Sequence, residues 1–166
     1  MNFGDLVRGE SVFIDANTLV YHFTVHPSFG AACTDLIRRV NLGEIRGLIS
    51  AHAISETAHR LMTIEAVAMN GWPHKGIAQR LKKHPDHIQA LTHFRQAVAS
   101  IPKLGIQTLP VEITDIENAT AVSQQFGLLS GDALVVAIMQ SRNVVNLASY
   151  DADFDRIPWL RRFDSR

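Results

Sequence analysis

Short apolar runs and longer helical stripes alternate along this chain. Val12-Phe13-Ile14, opened by Ser11 and closed by Asp15, is too short for a helix and rich in residues that favour extended backbone, which predicts a buried strand. Leu48-Ile49-Ser50, the stretch 105–109 and Val144-Val145-Asn146-Leu147-Ala148 predict three more. Between them, helices are expected over 17–23 and 29–42, broken at Pro27 and closed near Gly43. Over 51–69, Ile54, Ala58, Leu61 and Met62 recur at helical spacing, and Gly71-Trp72-Pro73 ends the helix. Two further helical stretches fill 74–100, divided at His84-Pro85, and Pro110 turns the chain into a helix over 112–126. Ser130 is expected to cap a last helix whose interior, 133–139, is apolar all round and therefore buried. A polar loop over 149–155 and a short basic tail complete the pattern.

Strands alternating with helices predict an α/β fold, a central parallel sheet flanked by helices, and such sheets bind ligands beyond the carboxyl ends of their strands. The 166 residues suit one domain over 1–166, with no repeat or linker, and 46% hydrophobic residues can fill its core. Sixteen basic and sixteen acidic residues cancel, so nucleic-acid contact would have to use local patches rather than a global field. A single cysteine, Cys33, excludes an internal disulfide and suits a reducing compartment. Asp5, Arg8 and Glu10 interrupt any secretory leader, and no apolar run nears the roughly 20 residues of a membrane helix. A soluble, cytoplasmic protein with no membrane partner is expected.

Candidate chemistry lies in the acids. Asp15 ends the first predicted strand, Asp151 and Asp153 follow the fourth, and Asp132 opens the buried helix before it. Each has an ordinary structural reading: a strand-end turn, a helix-dipole partner, a solvated loop. Glu56 is less conspicuous, because its helix is read as burying Ile54, Ala58 and Leu61 and turning Glu56 away, flanked by His59 and Arg60. Together they mean more. Two carboxylates 4 Å apart repel by about 4 kcal/mol at an effective dielectric near 20, so a shared cleft requires protons or cations. Oxygen donors select Mg²⁺ or Mn²⁺, and such ions serve phosphodiester hydrolysis.

Four segments carry a family resemblance. Val12-Phe13-Ile14-Asp15-Ala16-Asn17, Ile54-Ser55-Glu56, Gly127-Leu128-Leu129-Ser130-Gly131-Asp132-Ala133 and Leu147-Ala148-Ser149-Tyr150-Asp151-Ala152-Asp153-Phe154 resemble, in order and setting, the motifs of PIN-domain nucleases. The size and layout resemble the VapC type, the toxin half of VapBC toxin–antitoxin pairs. The resemblance implies a metal-dependent endoribonuclease acting on single-stranded or structured RNA. Asp15, Glu56, Asp132 and Asp151 would be its metal-coordinating or catalytic acids, with Mg²⁺ or Mn²⁺ as cofactor. Asn17, Ser149 and Asp153 would be auxiliary polar groups. It also implies an antitoxin partner and, together with the apolar surplus of so small a chain, a homodimer, to which the helices between Ile54 and Val98 are expected to contribute. The stretch 72–89, with its basic Arg80-Leu81-Lys82-Lys83-His84, is longer and more basic than the compact VapC middle region, within a helical segment over 72–100.

Other readings are a non-toxin RNA-processing nuclease or a PIN-like binding module with degraded catalysis; the presence of all four acids counts against the second. Asp15-Ala16-Asn17-Thr18 resembles a haloacid-dehalogenase nucleophile loop, but Asn17 stands where that chemistry needs a second Asp. An EF-hand reading of Asp151, Asp153 and Asp155 fails on Arg156 and Arg162 at the glycine and glutamate positions. Glu56-Thr57-Ala58-His59 has no second copy to complete a di-iron site. His84 and His87, without a visible third ligand, read as a solvated helix face, and the aromatic residues as core rather than base-stacking platforms.

Overall fold

The computed structural model describes residues 1–165. Five parallel strands form one sheet: β1 (Ser11–Ile14), β2 (Arg46–Ser50), β3 (Gln107–Leu109), β4 (Asn146–Ala148) and β5 (Arg161–Phe163), in the order β3-β2-β1-β4-β5. Eight helices connect them: α1 (Ala16–Phe23), α2 (Gly30–Asn41), α3 (Ala51–Asn70), α4 (Ile77–Lys83), α5 (Pro85–Ala90), α6 (His93–Ser100), α7 (Ile113–Phe126) and α8 (Ser130–Ser141). The expected α/β architecture with a parallel sheet is the one observed.

The alternation of β1 explains the layering. Val12 and Ile14 turn to the layer containing Leu19, Cys33, Leu36 and Val40 of α1 and α2. Phe13 turns the other way, with Leu48 and Leu147, onto Val135, Val136 and Met139 of α8 and Val122 of α7. Both faces are therefore covered, which is why the central strands are continuous apolar runs. Phe13 sits opposite Leu48 of β2 and Leu147 of β4, making β1 the middle of the sheet. Gly47 of β2 lets α2 approach closely, since a Cβ there would lie 2.7 Å from Val40 Cγ1.

Four details depart from the sequence-based expectation. The basic tail contains β5, which pairs with β4 through Leu147↔Arg162 and buries Phe163. The region 74–100 holds three helices, because the chain breaks at Leu91-Thr92 as well as at His84. The first helical residue of α8 is Ser130, so Leu129 is its N-cap, in extended backbone and with no side-chain cap bond. On α3 the fully buried line is Ala53, Thr57, Leu61 and Ala66, whereas Ile54 and Ala58 are half-buried; Glu56 therefore flanks the buried face instead of opposing it. A satellite core of Ala66, Ile77, Leu81 and Leu91 joins the far half of α3 to α4 and α5. Among the described residues no single helix is long and apolar enough to cross a membrane.

Candidate active site

Asp15 leaves β1 and caps α1, its extended backbone placing Oδ1 to accept from the Ala16 N–H at 2.7 Å. Its other oxygen, Oδ2, accepts from Asn17 Nδ2 and from Ser149 Oγ, the latter at 2.7 Å. The Ser149 hydroxyl in turn accepts from Asn17 Nδ2 at 3.0 Å and from the Asp151 N–H at 3.1 Å. Asn17 Oδ1 accepts from the Tyr150 N–H at 3.2 Å. Asp15, Asn17 and Ser149 are all buried, so this web locks the ends of β1 and β4 together.

Burial pushes the Asp15 carboxyl up to about 6, against the lowering effect of Ser149 and the Ala16 N–H, and the charges of Glu56 and Asp132 push it further. Asp132 likewise rises to about 6, first through burial and then through Asp151, Glu56 and Asp153, with His52 opposing. The two aspartates come from β1 and α8, yet each senses Glu56 of α3. Asp151 caps a 3₁₀ turn over Ala152–Arg156, its carboxylate accepting from the Asp153 N–H at 2.9 Å. Asp153 is ion-paired to Arg156 at 2.8 Å, whereas Asp15, Asp132 and Asp151 have no ion pair among the described residues.

Asp15, Glu56, Asp132 and Asp151 thus act on one another electrostatically across four segments, while Asn17 and Ser149 brace Asp15. Four acids, of which Asp15 and Asp132 have raised carboxyls, form an all-oxygen donor set whose repulsion a divalent cation would relieve, so the residues fit such an ion. Of roughly four acceptor positions on a carboxylate, Asp15 uses three, leaving one on Oδ1.

Sequence reasoning overlooked His52. It stands one turn before Glu56, with Nε2 3.7 Å from Glu56 Oε2, buried and without a hydrogen-bond partner among the described residues. A cavity of about 270 Å³ beside it is lined by His52, Ser130, Gly131, Leu134 and Ala119. Gly131 allows α8 to pass close to α3, because a Cβ there would lie 3.4 Å from His52 Nε2 and 3.5 Å from Glu56 Oε1. The four-residue spacing of His52 and Glu56 was the available signal.

Among curated proteins, VapC13 of Mycobacterium tuberculosis and a VapC ribonuclease of Mycobacterium bovis are each 37% identical over 57 residues. That match spans 34% of this chain and 44% of each relative's length. Among solved structures, the VapC20 toxin of M. tuberculosis, described as cleaving the sarcin–ricin loop, superposes with a TM-score of 0.62 at 14% identity, over 90% of this chain and 96% of that one. VapBC2 of Rickettsia felis, solved with a promoter DNA fragment, gives 0.55 at 16% identity, over 93% and 99%. These likenesses are of fold. The PIN domain family model matches residues 12–160, from β1 to the residue before β5, and takes in every acid described above. The chain belongs to the PIN-domain family.

Proposed function

We propose that this protein is a divalent-metal-dependent endoribonuclease whose acids are Asp15, Glu56, Asp132 and Asp151. The observation that carries this reading is the pair of raised carboxyls at Asp15 and Asp132, two groups on distant segments pushed to about 6 first by burial and then by neighbouring acids, with Glu56 acting on both. Structural acids are normally paired with cations; Asp15 and Asp132 instead sit in the field of other acids. PIN domains in general depend on divalent metal. Oxygen donors favour Mg²⁺ or Mn²⁺, held by Asp15, Asp132, Asp151 and Glu56, and a bound ion supplies Lewis acidity toward the scissile phosphate and its attacking water.

The chain's own residues set the geometry for that chemistry. Asn17 and Ser149 fix the Asp15 rotamer, leaving only part of Oδ1 free. Glu56, on α3 with 44% of its side chain exposed and His52 Nε2 3.7 Å from its Oε2, would act as the proton acceptor for the attacking water. Asp153, held by Arg156, shapes the loop that carries Asp151.

By kinship to VapC proteins, the reading extends to the toxin of a type II toxin–antitoxin pair. Its antitoxin would set an Arg or Lys among the acids, since a cation that pairs with carboxylates competes with the metal. A second copy of the chain would pack along the helices between Ile54 and Val98. There a groove of about 860 Å³, lined by Phe23, Leu61, Ile64, Met69, Phe94 and Ala97, is open to solvent.

Purified protein is expected to cleave single-stranded RNA in Mg²⁺ or Mn²⁺ and to stop in EDTA. Asp132→Asn should abolish cleavage without changing the circular dichroism spectrum. Cleavage by Asp132→Asn at the wild-type rate would refute the assignment. Expression of the wild type, but not of Asp15→Ala, should arrest growth; harmless expression of soluble, active protein would leave an RNA-processing nuclease and remove the toxin.

A further inference from the structure

The segment between α3 and α6 carries a second group of ligand atoms. His84 ends α4, and Asp86 and His87 lie in the first turn of α5. One ligand atom from each lies within 4.8 Å of the other two. Asp86 is the third ligand that sequence reading did not find, because the turn at His84-Pro85 is what folds it back beside the histidines.

The tautomer of a neutral His87 follows from its neighbours. Asn70 Nδ2 donates to the Ala66 carbonyl at 2.9 Å, so its Oδ1 is the atom that faces His87 Nδ1, at 2.6 Å. A carbonyl oxygen only accepts, so Nδ1 carries the hydrogen and, in the neutral imidazole, Nε2 keeps its lone pair. That Nε2 lies 3.7 Å from Asp86 Oδ2. The gap is too long for a hydrogen bond, and it sets two acceptors against each other. A metal bound to both at about 2.0–2.2 Å would hold them roughly 3.3 Å apart, a small movement for an Asp86 side chain that is 76% exposed. A ligating imidazole whose other ring nitrogen donates to a fixed oxygen is the usual arrangement of a protein metal site.

We propose that His84, Asp86 and His87 bind a divalent transition-metal ion of the Zn²⁺ type, with Asn70 as the positioning residue. Two imidazoles and one carboxylate select Zn²⁺ over Mg²⁺, and three protein ligands leave a fourth position to water. The Trp72 ring covers one side of the site, 4.6 Å from His87 and 5.7 Å from His84 between ring centres. Through Asn70 the ion ties the α4–α5 junction to the C-terminal end of α3, fixing the placement of Arg80, Lys82 and Lys83.

The test uses the full chain, free of any histidine tag and stripped with chelator, titrated calorimetrically with Zn²⁺ in excess Mg²⁺ and optically with Co²⁺. Wild type and Asp132→Asn should each take up one equivalent of Zn²⁺, and the Co²⁺ form should show four-coordinate visible absorption. His84→Gln/His87→Gln and Asp86→Asn should lose that equivalent, and Asn70→Ala should weaken it roughly ten- to a hundredfold. The surface substitution Asp86→Asn serves as the decisive variant if the histidine pair does not fold. Wild type taking up no Zn²⁺ in excess Mg²⁺ overturns the site. So does an unchanged equivalent in folded Asp86→Asn or in the histidine double variant. Because Asp132→Asn removes an acid from the other cluster, Zn²⁺ uptake and loss of RNA cleavage are read separately.

Discussion

Asp132→Asn should stabilise the metal-free protein near neutral pH. Asp132 stands at about 6 against an ordinary 3.8, a rise of about two units, and each unit corresponds to about 1.4 kcal/mol. The full cost of ionising it in the fold would be about 3 kcal/mol, but its carboxylate is partly exposed, and solvent screening reduces this to about 1 kcal/mol. The folded state holds the proton more tightly than the unfolded chain. Below about pH 4 both states are protonated and nothing is lost; between about 4 and 6 the unfolded chain ionises first and stability falls; above about 6 the cost is complete. Asparagine has no proton to lose, so its advantage grows across that window and is flat above it. No hydrogen bond to the Asp132 side chain is lost among the described residues. Urea denaturation in EDTA should therefore show a gain of about 1 kcal/mol at pH 7.5, or roughly 2–4 °C in Tm, and near equality at pH 4. Mg²⁺ should narrow the difference by stabilising the wild type more. If the variant is no more stable than wild type at pH 7.5, the acids do not share a field and the cluster is wrongly drawn.

Ser149→Ala removes the donor to Asp15 Oδ2, so the Asp15 carboxyl should titrate above about 6 by NMR, with a stability loss of about 1–2 kcal/mol; an unmoved titration would count against the web described above. Gly47→Ala places a Cβ 2.7 Å from Val40 Cγ1 and 3.2 Å from Ile14 Cδ1, so denaturation should show a cost of about 1–3 kcal/mol; unaltered stability would mean that α2 has room to retreat.

Much of this site is legible in sequence because strand ends in a parallel sheet are marked twice, by the end of an apolar run and by a polar cap. Asp15 and Asp151 carry both marks. Glu56 carries neither: α3 packs against different partners along its 20 residues, and no single stripe describes its buried face. His52 offered only its four-residue spacing from Glu56, since its significance comes from Gly131 of α8 passing beside it. Strand β5 was hidden by Arg161 and Arg162, which at a sheet edge can keep their charges in water or in ion pairs while Phe163 alone is buried. Asp86 needed the geometry of a turn that spacing does not encode.

The central place of β1 also constrains how the protein is made. Its two neighbours are β2, about 35 positions onward, and β4, whose Leu147 meets Phe13 only after some 134 intervening steps of chain. Thr18 likewise donates to the Ala148 carbonyl, and Asp15 receives its Ser149 hydroxyl from the same late segment. A growing polypeptide on the ribosome, lengthening by roughly 5–20 residues per second, can therefore hold β1 and α1 without holding the acid cluster. Asp132 and Asp151 emerge last, and the brace that orients Asp15 comes with them. The nascent chain thus carries an incomplete cluster until residue 151 has emerged, and the four carboxylates come together only then.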